Sequence, residues 1–347
     1  MSKPFCTAPW TSRYYSGTKG VNVCCEWRGE DYFQGNLAEF EESQYLKEIK
    51  RKMFDGGNET NCAECIHQES IGEMSSRDWF NEQFEVASGL QQLDYRPGNT
   101  CNLMCRMCSP YYSSLIAKES GVIINNLDTS DVDSIDLSKL KKVMVLGGEP
   151  SVDIKARVFL EKLARSGTDA LVEITTNGTN VSKKWFDLLK QFDNIFIAIS
   201  IDASGPVFDY IRTLAKWKDI SKNLELYHNE FGDDIRIHMT AQTYNYAIID
   251  SWFDYFIDSD IGLEQHPCIT PTELSLQALK PKYADIVLEW LDKKNNDKCD
   301  AAMKMIKSFE YSKYANQEFI SYTRHLDKLR GTNILDIHPR FKEIMQY

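Results

Sequence analysis

An α/β fold built on parallel strands is predicted by three features of this 347-residue chain. From about residue 91, short β-rich runs alternate with helix-length segments, and the alternation repeats six times. The loops that follow the strands are opened by glycine or lined with small polar groups. Parallel pairing with crossover helices satisfies such a pattern, either as an open doubly wound sheet or as an incomplete barrel. In both forms ligands bind beyond the C-terminal ends of the strands.

The strand runs are 93–96, 142–146, 171–175, 194–201, 235–242 and 262–266. The helical segments between them are 109–120, 154–166, 182–191, 220–231 and 248–258. After the first strand come Cys101, Cys105 and Cys108; after the second, Gly147-Gly148-Glu149-Pro150; after the third, Thr176-Asn177-Gly178. On the fourth, Ser200 and Asp202 share one face, because side chains alternate along a strand. On the fifth, His238, Thr240 and Gln242 alternate with apolar residues, so one polar face is expected to line a cavity. Asp202 could act as a base or as a structural acceptor, and His238 is read as satisfying a buried hydrogen bond.

Residues 1–90 differ in character and are read as a separate domain. They hold five cysteines, turns at 17–20 and 56–58, and helical stretches at 37–54 and 75–87. Residues 91–268 form the α/β core. Residues 269–347 read as a helical region, with Ile286, Val287, Trp290 and Leu291, then Met303, Ile306 and Phe309, at helical spacing. The acidic stretch 128–136 reads as a solvated loop or helix start.

Net charge is −11, spread along the chain as −6 over residues 1–100 and −5 over the rest. That is a poor fit to a protein whose affinity comes from cations on phosphates, so nucleic acid is not indicated. No stretch approaches a membrane span, and the N-terminus has no signal-peptide pattern. A cytoplasmic, reducing location is expected. There ten cysteines point to metal or catalysis and not to disulfides. Cys268 and Cys299 stand alone and read as inert buried thiols.

Three thiolates on one loop suit an iron-sulfur cluster, zinc or copper(I). Structural zinc wants four ligands, and neither His nor Cys follows the triplet within a hundred residues. A 4Fe-4S cluster on three cysteines leaves one iron for another molecule, which would explain the missing fourth ligand.

Cys101-x3-Cys105-x2-Cys108 after a strand, followed by Gly147-Gly148-Glu149-Pro150, resembles the radical S-adenosylmethionine (radical SAM) superfamily. The resemblance implies a partial (β/α)6 TIM-like barrel as the core. It implies that the three cysteines hold a 4Fe-4S cluster and that Gly147, Gly148, Glu149 and Pro150 meet the amino group of S-adenosylmethionine (SAM). Ser200 matches a position that touches the ribose or carboxylate, Arg212 sits where relatives place a carboxylate-binding arginine, and Asn177 and Asp202 lie on the same rim. One position departs from the common pattern, since the residue before the last cysteine is Met107 and not an aromatic. The implied activity is reductive cleavage of SAM to a 5′-deoxyadenosyl radical that takes hydrogen from a substrate. A reductant such as flavodoxin or ferredoxin is implied as partner.

Cys6, Gly20, Cys25 and the pair Cys62-x2-Cys65 resemble the twitch, or half-SPASM, auxiliary domain, with GNLAEF at 35–40 as a further likeness. The resemblance implies a second, fully ligated 4Fe-4S cluster, with Cys24 competing with Cys25 for one position. Such domains usually follow the barrel; here the pattern precedes it, and Glu69-x2-Gly72-x2-Ser75-x-Arg77 is in keeping with a leading one. A four-cysteine zinc site is the alternative. His67 is read as a surface residue. Relatives of this kind suggest peptide or protein modification first and dehydrogenation or epimerisation of a small molecule second. The opposing reading is a non-catalytic iron-sulfur or zinc protein.

Overall fold

The computed structural model describes residues 5–27, 31–56, 60–70, 72 and 74–346. Its ten strands are β1 (Ser12–Ser16), β2 (Gly20–Asn22), β3 (Gln92–Arg96), β4 (Met104–Cys105), β5 (Lys142–Val145), β6 (Leu171–Thr176), β7 (Ile195–Ser200), β8 (Arg212–Thr213), β9 (Ile235–Ala241) and β10 (Gly262–Pro267). The chain divides into two compact units. One is Met1–Cys101, Pro110–Thr175 and Ser182–Phe196; the other is Asn102–Ser109, Thr176–Val181 and Ile197–Tyr347.

In the first unit the strand order is β6-β5-β3-β1-β2, parallel except for β2. The segment 1–90, expected as a domain apart, therefore contributes to the same sheet: β1 pairs in register with β3 from Ser12↔Gln92 to Ser16↔Arg96. The reason lies in β1, whose five residues are all buried. Tyr14 and Tyr15 pack inside, and the buried Arg13 is neutralised by both carboxylate oxygens of Glu41 at 2.5 and 2.8 Å. A strand so enclosed has nowhere to go but into the sheet.

The single helix expected at 37–54 is two, Leu37–Glu42 and Gln44–Asp55, because Ser43 ends the first and caps the second through Leu46 N–H. Gly56 ends the second with φ of 69°, a left-handed turn that glycine adopts without strain; residues 57 and 58 of the expected turn lie outside the described ones. The acidic stretch is not simply solvated. Asp131 accepts from the Tyr15 hydroxyl and from the Leu37 and Ala38 amides, so it caps the first of these helices.

In the second unit β7, β9 and β10 run parallel in that order, and β4 pairs with β8 in a short antiparallel ladder. The segment 248–258 is a 3-10 turn, Ile249–Ser251, followed by a short helix, Asp254–Ile257. Ile248, Ile249, Trp252, Phe253 and Phe256 are all buried, more than one helical face can present. The helical C-terminal region is observed as Pro281–Asp292, Asp297–Lys307 and Lys313–Arg330. Among the described residues no helix is long and apolar enough to cross a membrane.

Candidate functional site

In the first unit the Gly147–Pro150 turn is locked to the backbone leading into Cys101. Gly148 N–H donates to Gly98 O at 3.1 Å and Glu149 N–H to Thr100 O at 2.8 Å. A Cβ on Gly148 would lie 2.2 Å from Thr100 O and one on Gly147 2.9 Å from Gly98 O, and Gly147 has φ of +119°. Both glycines are therefore required by close backbone approach. Glu149 is buried, and Asp153 caps helix Ile154–Arg165 just beyond. Replacing Gly148 with alanine is expected to push Thr100 and Cys101 aside, at a cost of about 1–3 kcal/mol. Chemical denaturation and iron content of the reconstituted variant would measure it.

The second unit holds the rest of the cysteine loop. Cys105 lies opposite Arg212 in the β4–β8 ladder and is buried; Cys108 N–H donates to Cys105 O. Arg106, between them, is fully buried. Its guanidinium sits 3.6 Å from the Tyr210 ring centroid, donates to Tyr210 O at 3.0 Å and to Thr332 Oγ1 at 2.6 Å, and pairs with Asp327 Oδ1 at 2.7 Å. Tyr322 Oη donates to Arg106 O at 2.6 Å and Arg330 Nη1 to Met104 O at 2.9 Å. Helix Lys313–Arg330 and the turn after it thus hold the loop from three directions.

These clamp residues were not legible as functional, because Asp327 lies 221 positions from its partner. The only trace in the sequence is an arginine between two cysteines, which fits a loop that needs a buried anchor.

Asn177 braces the same loop. Its Nδ2 donates to Asn102 Oδ1 at 2.8 Å while its Oδ1 accepts from Thr179 N–H and Oγ1, and Asn102 Nδ2 donates to Thr179 Oγ1. Arg212, expected to bind a carboxylate, already faces one of the chain's own. Its Nε lies 2.8 Å from Asp202 Oδ2, an ion pair without the alignment of a hydrogen bond, and Nη1 donates to Cys105 Sγ at 3.8 Å. Asp202 also accepts Thr240 N–H at 2.9 Å. Burial pushes the Asp202 carboxyl up, against the pull of Arg212. The Cys105 thiol is likewise raised by burial and opposed by Arg212 and Arg330. Ser200 ends β7 half-buried, beside His238 in register.

The donors fit a soft, anionic metal group. Three thiols stand on one anchored loop, and Arg212 and Arg330 favour the thiolate at the buried Cys105, which is the form that binds metal.

The N-terminal cysteines gather in the first unit. Cys6 is buried with Ala8, Met53, Phe80 and Phe84, and Cys24 and Cys62 pack against that group. Cys25, favoured by its spacing from Gly20, instead feels Asp94, Glu26 and Arg96. Cys65 is buried, and burial raises its thiol while the Arg77 backbone N–H and guanidinium lower it. Arg77 pairs with Glu69 through Nε at 2.8 Å and Nη2 at 2.5 Å, and Ser75 Oγ donates to Glu69 Oε1 at 2.7 Å. Glu69 thus ties down Ser75 and Arg77, whose backbone N–H acts on Cys65. Among the described residues no three cysteine sulfurs lie within 4.8 Å of one another. His67 is exposed, and Cys268 and Cys299 are buried.

The Radical SAM superfamily model matches residues 95–246. A GTP 3′,8-cyclase of Alkaliphilus oremlandii is 27% identical over 164 residues, which are 47% of this chain and 49% of that protein. The chain thus spans about half the length of the curated relative it matches. Among solved structures, anSMEcpe with bound AdoMet aligns with a TM-score of 0.46 at 20% identity, over 58% of this chain and 59% of its own. Streptococcus suis SuiB aligns with a TM-score of 0.43 at 17% identity, over 80% of this chain and 67% of its own.

Proposed function

Because the Radical SAM superfamily model matches residues 95–246, we propose that this chain is an enzyme that cleaves SAM reductively and uses the resulting radical on a substrate. The observation that carries the reading is the anchoring of the cysteine loop: Gly147–Glu149 bonds its entry and Arg106 its middle. Cys101, Cys105 and Cys108 would hold a 4Fe-4S cluster. When bound, such a cluster supplies the electron that breaks the sulfur–carbon bond of SAM.

The chain's own residues do the positioning. Gly148 admits the close approach of Thr100 that sets Cys101, and Asn177 fixes Asn102. Arg212, held by Asp202, places a cation beside Cys105 and offsets the negative charge that thiolate ligation brings into a buried setting. Gly147, Gly148, Glu149 and Ser200 are the groups proposed to meet SAM.

The N-terminal cysteines are proposed to hold a second cluster, with Cys24 joining Cys6, Cys62 and Cys65 because it packs with Cys6 and Cys62 while Cys25 faces Asp94 and Arg96. Backbone N–H groups of Ala8 and Arg77 directed at Cys6 and Cys65 are the kind of donor that tunes cluster sulfurs. The substrate class is proposed from the sequence resemblance alone: peptide modification first, a small molecule second. A flavodoxin- or ferredoxin-type reductant completes the proposal.

The test is iron and labile sulfide per chain after anaerobic reconstitution. About eight irons are expected, falling to about four both in the Cys101/Cys105/Cys108→Ala variant and in the Cys6/Cys24/Cys62/Cys65→Ala variant. A Cys25→Ala variant is expected to keep about eight. About four irons in the intact protein, with zinc on the N-terminal cysteines, would remove the second cluster from the proposal.

A further inference from the structure

A second donor set lies on the sheet of the second unit, on two strands that carry none of the cysteines of either loop. On β9 the residues Ile235, Ile237, Met239 and Ala241 are buried, and Arg236, His238 and Thr240 point to the opposite, more open face. Glu264 of β10 stands beside His238 and His266 beside Thr240, so the same face of β10 presents Glu264 and His266. His238 Nε2 is 2.7 Å from Glu264 Oε2, and His266 Nε2 is 3.7 Å from that same oxygen. One donor atom from each of the three residues lies within 4.8 Å of the others, and the imidazole rings meet at 5.2 Å and 64°.

Two imidazoles and a carboxylate are a borderline donor set, suited to zinc or to another divalent first-row metal, and three protein ligands leave coordination positions open. Bonds of 2.0–2.1 Å place neighbouring ligand atoms about 3.3 Å apart in a tetrahedron, a value the observed 2.7 and 3.7 Å bracket. The ligands also have the right freedom. His238 is fixed in mid-strand and 20% exposed, whereas Glu264 and His266 are 46% and 61% exposed and can close on an ion from the open side. An ordinary hydrogen-bonding role for His238 needs Glu264 alone; it does not account for a second imidazole converging on the same oxygen.

We propose that His238, Glu264 and His266 form a site for one divalent transition-metal ion, distinct from the cysteine sites, whose open positions take oxygen donors such as a carboxylate, a phosphate or adjacent hydroxyls. Ser200 is beside His238 on the neighbouring strand. The metal would stand one to two strand spacings, roughly 5–10 Å, from Ser200. That is a reach at which a bound substrate could present a C–H bond toward SAM held at Ser200. This use as a substrate anchor rests on the radical reading; the metal site does not.

The probe is Co2+, added to cluster-loaded protein so that the cysteines are already occupied. The expected result is one equivalent bound, with ligand-field absorption and no sulfur-to-cobalt charge transfer. His266→Ala, at an exposed position, should weaken binding at least tenfold, and His238→Ala combined with Glu264→Gln should abolish it, with iron content unchanged in both variants. Oxalate should shift the cobalt bands by entering the open positions. No cobalt bound, or binding unaltered by these substitutions, would overturn the site; bound cobalt blind to oxalate would overturn the anchor role. SAM cleavage assayed on the same preparations reads the radical proposal separately.

Discussion

Replacing Cys105 with alanine is expected to abolish SAM cleavage and to remove about four irons per chain while leaving the N-terminal cysteines loaded. The effect is large because Cys105, proposed as one of the three ligands, is tightly held. Its backbone is paired to Arg212 across β4 and β8, its sulfur accepts from Arg212 Nη1, and it is buried. No other thiol can swing into that place, since the loop around it is tied down by Arg106 and Arg330. Loss of the thiol leaves Arg212 still paired with Asp202. Fold stability should therefore change little, and iron analysis with 5′-deoxyadenosine quantification will separate the two effects.

Asp327→Ala is expected to cost about 3–5 kcal/mol and to lower cluster retention on the cysteine loop without touching a ligand. Asp327 Oδ1 accepts from Arg106 Nη2, Tyr210 Oη and Thr332 Oγ1, and its Oδ2 accepts from Ile334 N–H. Removing it strands a fully buried guanidinium between two cysteine ligands. Denaturant unfolding measures the stability, and the rate of iron release to a chelator measures the loop. Pairing Asp327→Leu with Arg106→Met should recover much of the stability, since an apolar pair leaves no buried charge. Iron release should stay fast, because the loop has still lost its anchor to Tyr210 O and Thr332. A double variant as slow as wild type would assign the clamp to fold stability alone.

Four of the core strands, β5, β6, β7 and β9, were legible because each is rich in β-branched or apolar residues, and the loops after the strands announced the cysteine and glycine motifs. β1 escaped notice. Ser-Arg-Tyr-Tyr-Ser has no apolar aliphatic residue, and the carboxylate that neutralises the buried Arg13 comes from the distant Glu41. The pairing of β1 with β3 escaped for the same reason, since a composition change does not reveal strand pairing.

In the site, residues that act through sequence neighbours were readable, and residues that act across the fold were not. Arg212 was noticed as a cation, but its commitment to Asp202 and Cys105 depends on β8 folding back on β4. His238 was seen on a polar face. Glu264 and His266 needed the register of β10 to become its partners. Cys24 and Cys25 are adjacent in sequence, and only the packing around Cys6 distinguishes them.

The central claim is that the cysteine loop supports reductive cleavage of SAM. It is tested most directly by reducing the cluster-loaded protein anaerobically with dithionite in the presence of SAM and quantifying 5′-deoxyadenosine and methionine. The account predicts both products from the intact protein and neither from Cys105→Ala. SAM recovered whole from a fully loaded, fully reduced protein would contradict it.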